Sequence, residues 1–345
     1  MVAHGRHYTV RKLPGLEVQL AERVGSGLGR GALSEKTHGA ARPSSRRGSA
    51  LWIALIALTG CRPLEPQAAV TPGPAIAPSA SAVSSPSQTE QATAAIVAAP
   101  ETTRVCDQAQ GEIEAGTYPA VAVPGELPYL IYLPPCYQEL GRAYPAVYLL
   151  HGYPYDERHW LELGAEQVAN QGLDQENWPP FLMVMPLQPD PLFRNSDGGP
   201  GSYETELLDG IVAYVDKTYR SDPSRRGLAG VSRGGVWALE IAFRNPSDFV
   251  AVAALSPALA VNSARLPYDP FEIVKSAEKL PGDILLLVGD QDWAAPATER
   301  LSAALEAEGF LHSLVIVPGD HSDPTWAGAI SFTLGFFAWA LSEGR

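Results

Sequence analysis

The 345-residue sequence predicts an α/β domain with a mostly parallel central sheet and helices on both faces. Three observations lead to this fold class. Short, continuous apolar runs rich in Val, Leu and Ile recur in the C-terminal two thirds of the chain, and such runs are typical of strands buried on both faces. Helix-compatible stretches separate the runs. Polar or glycine-containing turns follow them. Strands that alternate with helices pair in parallel, because each helix carries the chain back across the sheet.

Residues 1–60 are predicted to form a leader with an export signal. Arg46 and Arg47 precede an apolar run at residues 50–58, which is too short for a membrane span of roughly 20 residues. A charged region, a short apolar region and small residues before a cleavage site make a signal peptide. The Leu-Thr-Gly-Cys sequence ending at Cys61 resembles the lipobox of bacterial lipoproteins. This resemblance implies that Cys61 is lipidated in an exported, membrane-anchored protein that faces outside the cytoplasm. The alternative is a buried apolar helix with a chance cysteine.

The region after the leader is predicted to be a tether. Residues 61–104 consist largely of Pro, Ala, Ser, Thr and Gln, with few charges and no periodicity. Such a composition cannot bury a core and behaves as a flexible linker. The folded domain is therefore predicted over residues 105–345, held away from the membrane by the tether.

The charge balance argues against two classes of partner. The chain carries a net charge of −13, although residues 1–60 hold nine basic and three acidic residues. The folded domain is therefore strongly acidic, whereas nucleic acids and anionic membrane surfaces are bound through basic patches. We expect no nucleic-acid partner. No Cys and His residues are clustered at the spacing of zinc ligands, and we expect neither a metal nor a cofactor.

The elements of the folded domain follow from its apolar periodicity. Strands are predicted at residues 130–133, 146–150, 181–185, 250–255, 284–288 and 313–317, and a further strand ends at residues 228 and 229. Helices are predicted at residues 203–219, 236–244, 297–308 and 325–341.

The sequence Gly230-Val-Ser-Arg-Gly, centred on Ser232, lies between a predicted strand and a predicted helix. This is the G-x-S-x-G nucleophile elbow, a sharp turn that exposes a serine hydroxyl above the sheet. Its glycines allow the close approach of strand and helix. The helix N-terminus behind Ser232 offers free N–H groups to a developing oxyanion. The alternative is a tight loop with a capping serine.

A serine becomes a nucleophile when a base accepts its proton and an acid orients that base. In α/β hydrolases these partners follow the serine in the order acid, then histidine. Asp290 and Asp292 follow the most β-like apolar run, and His321 follows the last predicted strand. We predict a triad of Ser232, His321 and Asp292, since a G-x-x-D turn commonly presents the acid in this fold. Asp290 is the alternative acid.

An oxyanion hole needs two backbone donors, one after the nucleophile and one from the loop after an early strand. The N–H of Arg233 is predicted to be the first donor. His151 and Gly152 end the strand at residues 146–150, and the N–H of Tyr153 is predicted to be the second. A plain strand-ending turn is the alternative for this loop.

The remaining cysteines, Cys106 and Cys136, form an even pair once Cys61 is assigned to lipidation. Disulfides persist in oxidising compartments, where an exported domain folds. We predict a Cys106–Cys136 bridge that stabilises the domain by about 3.5 kcal/mol in the loop-entropy treatment. Two buried free thiols are the alternative.

The domain resembles the esterase D branch of the α/β hydrolases over residues 129–341. This branch includes S-formylglutathione hydrolases, feruloyl esterases, enterochelin-type esterases and antigen 85 mycolyltransferases. Five segments carry the resemblance, at residues 132–137, 144–152, 203–208, 214–220 and 230–235. Asp292 and His321 lie where that branch has its acid and base. The segments are specific for the superfamily and weak for the substrate. The exported leader departs from the cytosolic formylglutathione enzymes.

These observations predict an extracytoplasmic serine carboxylesterase that acts on a small-molecule or carbohydrate-linked ester. Trp160, Trp237 and Trp326, together with the Tyr153 side chain, are candidate walls of its substrate pocket. Two alternatives stay open. The same triad serves acyl transfer to a sugar or lipid alcohol, and the fold also serves binding proteins without catalysis.

Overall fold

The computed structural model describes residues 106–194 and 197–343. The predicted leader at residues 1–60 and tether at residues 61–104 lie outside the described residues, as does the lipidation site Cys61. The predicted folded domain is therefore described almost completely.

Eight strands form one sheet in the order β1-β2-β4-β3-β5-β6-β7-β8. β1 pairs with β2 and β2 with β4 in antiparallel fashion, and every other pairing is parallel. The mostly parallel sheet predicted from the sequence is confirmed. The strands are β1 Glu112–Pro119, β2 Glu126–Leu133, β3 Tyr144–Leu150, β4 Leu182–Pro186, β5 Ser221–Val231, β6 Ala251–Leu255, β7 Asp283–Gly289 and β8 Ser313–Val317.

Helices connect the parallel strands. They are α1 His159–Glu162, α2 Ala165–Gln175, α3 Tyr203–Thr205, α4 Ala213–Thr218, α5 Arg233–Arg244, α6 Pro270–Ser276, α7 Ala295–Ala307 and α8 Asp323–Ala340. Three short 3₁₀ turns cover Leu192–Arg194, Leu259–Val261 and Leu266–Tyr268. Among the described residues, no helix combines the length and apolar character that crossing a bilayer requires.

The helix predicted over residues 203–219 is present, but its middle, Glu206–Val212, is π-helical. Glu206 is fully buried there. Its carboxylate accepts hydrogen bonds from the backbone N–H groups of Val121 at 3.1 Å and Ala122 at 2.7 Å. Single π-helical turns often occur where a helix departs from regular hydrogen bonding for a specific contact. The apolar periodicity predicts the helix, whereas the buried carboxylate depends on a segment 85 residues earlier in the chain.

Both faces of the sheet are buried, as the continuous apolar runs predict. In β3, Tyr148 and Leu150 face one hydrophobic cluster, which includes residues of α5 and α7. Val147 and Leu149 face the other cluster, which includes residues of α2 and α8. This alternation follows from the two-residue period of a strand. Complete burial of one such apolar side chain contributes about 2 kcal/mol to folding. The sheet is thus a rigid platform for the loops at its carboxyl edge.

The predicted disulfide between Cys106 and Cys136 is present. It joins the first described residue to the segment after β2, and its closed loop corresponds to about 3.5 kcal/mol of stabilisation in the loop-entropy treatment. Gln108 reinforces the link, because its side-chain oxygen accepts a hydrogen bond from the N–H of Cys136 at 2.9 Å.

A second buried carboxyl group lies in α5. Glu240 is fully buried. Burial and the neighbouring Glu204 carboxylate raise the pKa of Glu240 to about 9. Glu204 instead accepts hydrogen bonds from Arg244 Nε at 3.1 Å and Asn245 Nδ2 at 2.7 Å. Glu240 is therefore a protonated, neutral acid at neutral pH.

We expect Glu240→Gln to raise the thermal stability of the domain, and more so at higher pH. The folded chain keeps a proton that the unfolded chain releases above its ordinary pKa of 4.5. The contribution of Glu240 to stability therefore falls by up to about 1.4 kcal/mol per pH unit between these two pKa values. A glutamine stays neutral in both states. Melting curves from pH 5 to pH 8 should show a gain of several degrees at pH 8 and little at pH 5.

Glu204→Gln is the matched control, because it weakens the hydrogen bonds from Arg244 and Asn245. It should lower the melting temperature at pH 5, and the loss should be smaller at pH 8, because Glu240 also loses the neighbouring charge that helps to raise its pKa. An equal stability change for Glu240→Gln at pH 5 and pH 8 would contradict the protonated state of Glu240.

Candidate active site

Ser232 lies at the turn between β5 and α5, in the left-handed region with φ 53° and ψ −111°. Two glycines make this turn possible. A Cβ on Gly230 would lie 2.1 Å from the carbonyl oxygen of Gly234, and a Cβ on Gly234 would lie 2.4 Å from that of His151. Side chains at these positions would force strand and helix apart. The G-x-S-x-G sequence therefore folds into the sharp elbow that it predicts.

The structure brings Ser232, His321 and Asp292 together. Ser232 Oγ lies 2.8 Å from His321 Nε2. His321 Nδ1 lies 2.8 Å and 3.0 Å from the two carboxylate oxygens of Asp292. Because a carboxylate only accepts hydrogen bonds, Nδ1 carries the proton and Nε2 is free to accept the serine proton. Asp290 instead accepts the N–H of Gly319 at 2.9 Å, on the exposed side of the same turn.

Ser256 is a contributor to this site that the sequence analysis missed. It is fully buried after β6, at φ 47°. Its hydroxyl accepts a hydrogen bond from Trp326 Nε1 at 3.0 Å. Burial alone raises the pKa of Asp292, but the neighbouring His321, Ser256 and Ala294 N–H outweigh burial and lower it. The acid is thus held in its charged form.

Two indole rings flank the His321 imidazole. The centroid of the Trp326 ring lies 5.0 Å away in an edge-on arrangement, and that of Trp293 lies 4.4 Å away at an interplanar angle of 37°. Trp326 is buried, whereas 47% of Trp293 is exposed. Trp293 was not among the residues predicted from the sequence, although it directly follows Asp292.

The loop after β3 carries the predicted oxyanion donor Tyr153. The buried His151 donates from Nδ1 to the carbonyl of Gly152 at 2.9 Å, and its Nε2 accepts the N–H of Gln188 at 2.9 Å. Burial lowers the pKa of His151 to about 4, so the ring stays neutral. The Gly152 carbonyl and the Tyr153 N–H belong to one planar peptide unit and point in opposite directions. His151 therefore fixes the direction of that N–H.

His159 holds the same loop from its other side. Its Nδ1 accepts the N–H of Gly152 at 3.3 Å, and its Nε2 faces Asp323 Oδ1 at 3.4 Å. The ring stacks on Tyr155 with a centroid distance of 3.7 Å, and the Tyr155 hydroxyl donates to the same Asp323 oxygen at 2.7 Å. Burial lowers the pKa of His159. Asp323 lies two residues after His321. His159 therefore links the segment that contains His321 to the loop after β3.

Arg233 begins α5, and its N–H is therefore at a helix N-terminus, where free donors are found. Its side chain is held away from Ser232, because Nε donates to the Phe193 carbonyl at 3.2 Å and Nη1 donates to Asn262 Oδ1 at 3.1 Å. The guanidinium also lies over the Trp237 ring at 5.6 Å.

The structure contradicts the prediction that Trp160 and Trp237 line a substrate pocket. Trp160 and Trp237 are fully buried. Their indole N–H groups donate to backbone carbonyls, Trp160 to Leu150 at 3.0 Å and Trp237 to Phe193 at 2.9 Å. They are core residues and not walls of an open pocket. Trp326 is also buried but contacts the His321 imidazole. The exposed aromatic residues near the site are Tyr153 and Trp293.

Comparison with known proteins identifies the family. The model of the Esterase family matches residues 121–337. An endo-1,4-β-xylanase/feruloyl esterase of Xylanibacter ruminicola is 28% identical over 129 residues, which cover 34% of this chain and 18% of that protein. An esterase of Mycobacterium tuberculosis is 26% identical over 220 residues, covering 59% of this chain and 45% of that protein. The chain thus spans less than half the length of these curated relatives.

Solved structures share the fold. A ferulic acid esterase superposes with a TM-score of 0.60 at 21% identity, covering 67% of this chain and 99% of that chain. S-formylglutathione hydrolase from Staphylococcus aureus superposes with a TM-score of 0.58 at 18% identity, with coverages of 66% and 99%. A ferulic acid esterase from Anaeromyces mucronatus in complex with ferulic acid superposes with a TM-score of 0.57 at 22% identity, covering 68% of this chain and 93% of that chain. The chain belongs to the Esterase family, and its fold is that of the ferulic acid esterase and S-formylglutathione hydrolase structures with which it superposes.

Proposed function

We propose that the protein is an exported serine carboxylesterase that works through an acyl-enzyme. The observation that carries this proposal is the continuous hydrogen-bonded path from Ser232 through His321 to Asp292. Membership of the Esterase family supports an ester as substrate. Each of the three side chains has one role in the reaction, and its partners fit that role.

In the acylation step, the Ser232 oxygen attacks the ester carbonyl while its proton passes to His321 Nε2. His321 then carries a positive charge, which the adjacent Asp292 carboxylate stabilises. When the tetrahedral intermediate collapses, His321 returns the proton to the leaving alcohol. Water repeats the sequence in the second step and releases the acid. Ser256 supports this cycle indirectly, because it helps to lower the pKa of Asp292.

The oxyanion of each tetrahedral intermediate is proposed to accept hydrogen bonds from the N–H groups of Tyr153 and Arg233. The Arg233 N–H gains from the positive end of the α5 dipole. The Tyr153 N–H gains from the fixed plane of its peptide, which His151 and His159 hold through Gly152. Loss of one such donor typically costs about 3 kcal/mol of transition-state stabilisation.

The substrate is proposed to be a small-molecule or carbohydrate-linked ester. Relatives and structural neighbours include proteins named feruloyl esterase and ferulic acid esterase, which makes hydroxycinnamate esters the first candidates. Transfer of the acyl group to a sugar or lipid alcohol would use the same triad. Product analysis with an added alcohol distinguishes this reaction from hydrolysis.

Export and lipid anchoring through Cys61 complete the proposal. The apolar run at residues 50–58 and the Leu-Thr-Gly-Cys ending support them. The Cys106–Cys136 disulfide gives independent support for an oxidising compartment.

We expect Ser232→Ala to lower the hydrolysis of p-nitrophenyl esters, from acetate to decanoate, by more than about a thousandfold, because it removes the nucleophile. The same assay with methyl ferulate tests the aromatic acyl group. Labelling by a fluorophosphonate should be lost in parallel. Ser302→Ala is the matched control, since Ser302 Oγ also contacts an imidazole, His312 Nε2 at 2.7 Å, away from the elbow. Equal activity of Ser232→Ala and the wild type would exclude the proposed mechanism.

We expect Cys61→Ser to move the protein from the membrane fraction to the soluble exported fraction, because the proposed lipid is attached to the Cys61 thiol. Metabolic labelling with a fatty acid should be lost. Soluble esterase activity per molecule should stay unchanged, since the tether separates Cys61 from the folded domain. Retention of the label in Cys61→Ser would contradict the assignment.

We expect His159→Phe to lower kcat about tenfold or more, with little change in KM. Phenylalanine keeps the stacking on Tyr155 but leaves the N–H of Gly152 without its acceptor, which costs about 1–3 kcal/mol. Affinity for a boronic acid inhibitor, which mimics the tetrahedral intermediate, should fall by a similar factor. Tyr155→Phe, which removes only the hydroxyl bond to Asp323, should have a smaller effect. A lower melting temperature with unchanged kcat would show that His159 is merely structural.

A further inference from the structure

The two edges of the sheet differ in how well they resist pairing with a further strand. β1 carries Glu112 and Glu114 and ends at Pro119, and charged side chains and proline at an edge discourage the addition of another strand. β8, at the opposite edge, has the sequence Ser-Leu-Val-Ile-Val, with neither a charge nor a proline. A short apolar strand of this composition favours pairing with another chain. The edge at β8 is therefore a candidate interaction surface.

The backbone of β8 directs hydrogen-bonding groups toward this edge. The Val317 carbonyl accepts the N–H of Asp290, which directly follows β7, at 2.8 Å. Alternate residues of a strand direct their N–H and carbonyl groups to opposite sides, so those of Leu314 and Ile316 point away from β7. Among residues 106–194 and 197–343, no strand lies on that side of β8. The N–H and carbonyl groups of both residues are thus available to an added strand.

A groove of about 530 Å³ adjoins the same edge, and it is lined by residues of α7, of β8 and of the segment between them. The side chains of Leu314 and Ile316 line it and are only partly buried. Leu311, which also lines it, is 72% exposed. An added strand would cover these apolar side chains while it paired with the backbone. Exposed apolar surface beside an open strand is typical of an interaction site.

The sequence of β8 is complementary to itself. In an antiparallel pair of two β8 strands with a two-fold axis at Val315, Leu314 of each copy lies opposite Ile316 of the other. Residues opposite one another in this way exchange both of their N–H···O bonds, so every open backbone group of the two strands has a partner. Ser313 lies opposite Val317, and no facing pair brings two charges together. Such a two-fold contact is the commonest arrangement of homo-oligomers.

The ladder between two copies is short. The next residues with outward backbone groups are His312 and Pro318, and Pro318 has no N–H to donate. Ten residues of each copy line the groove, which is fewer than the roughly 20–30 residues a side of a standard stable interface. The contact therefore suits a reversible dimer, with a dissociation constant on the order of micromolar.

We propose that β8 and its groove form the interface of a homodimer in which two sheets join edge to edge. The interface is separate from the proposed esterase function and does not depend on it. Glu299 and Glu306 line the groove of each copy, and the two acidic walls repel one another. Salt screens this repulsion, so the dimer should tighten as the salt concentration rises. A basic peptide bound in the same groove would instead be weakened by salt.

The test is sedimentation velocity of the purified full chain with Cys61→Ser, which cannot carry the proposed lipid. Ile316→Pro should raise the dissociation constant of the dimer about thirtyfold or more, because two hydrogen bonds between the copies are lost. The Ile316 N–H faces the open edge, so the proline removes no hydrogen bond within one copy. Ile316→Val is the matched control. Valine has as many side-chain carbons as proline but keeps the N–H, and it should change the dissociation constant less than about threefold.

Hydrogen exchange gives a second measurement at the strand itself. The amides of Leu314 and Ile316 should exchange more slowly as the protein concentration rises, because they become hydrogen-bonded in the dimer. The Leu314 amide of the Ile316→Pro variant should show no such dependence. Added sodium chloride should lower the dissociation constant of the wild type several-fold.

Three results would overturn the interface. One is a chain that stays monomeric at every concentration. Another is a dimer with the same dissociation constant in Ile316→Pro and the wild type, which would mean that a different surface forms it. The third is slow exchange of the β8 amides at every concentration, which would mean that a segment of the same chain covers the edge.

A second pair of variants serves if Ile316→Pro does not fold. Leu311→Asp adds a charge at an exposed position of the groove, and Leu311→Asn is its neutral counterpart of the same shape. The aspartate variant should form the weaker dimer, because its charge loses solvent in the contact. Equal dissociation constants for these two variants would overturn the interface as well.

Discussion

The close approach of β5 to the first turn of α5 determines where every other group of the site must lie. Ser232 occupies a backbone conformation that a non-glycine residue rarely adopts, with φ at 53°. The surrounding packing maintains it, because Gly230 and Gly234 leave no space between strand, helix and the loop after β3. The N–H of Ser232 donates to the Leu255 carbonyl of β6 at 2.8 Å, and this bond ties the elbow to the next strand. The position of Ser232 is thus fixed by the sheet and not by its own loop.

Three histidines near this elbow differ in which ring nitrogen carries the proton. In each case the hydrogen-bond partners of the ring determine the protonated nitrogen. His321 and His151 carry it on Nδ1, opposite a carboxylate and a carbonyl respectively. His159 carries it on Nε2, toward Asp323, because its Nδ1 accepts a backbone N–H. Burial lowers the pKa of His151 and of His159, so both remain neutral hydrogen-bonding groups. In the proposed reaction only His321, partly open to solvent, changes its charge.

Local sequence predicts the elbow, because its residues are contiguous in the chain. The order of the strands predicts the acid and the histidine, because each follows a particular strand of this topology. Ser232, Asp292 and His321 come together in the structure for these reasons. Contacts between distant segments leave no such signal. Ser256 meets Trp326 across 70 residues, and His159 meets Asp323 across 164.

Burial of tryptophan is likewise set by the whole fold. The sequence could not distinguish the core residues Trp160 and Trp237 from the exposed Trp293. The strand β1 was also missed, because it is an edge strand with a largely exposed, charged sequence and no apolar run. The apolar pattern of the sequence identifies strands that are buried on both faces, and β1 is not such a strand.

The position of β8 at the edge of the sheet has a consequence for how the proposed activity is lost when the protein begins to unfold. β8 pairs only with β7, and its residues are less completely buried than those of the central strands. His321 follows this strand, so the proposed base is carried by an edge strand, and such elements open locally more readily than central ones. Asp323, held by Tyr155 and His159, anchors that margin back to the centre of the site. Local opening of this edge strand would abolish the proposed activity while the core is still folded, and the contacts of Asp323 with Tyr155 and His159 oppose such opening.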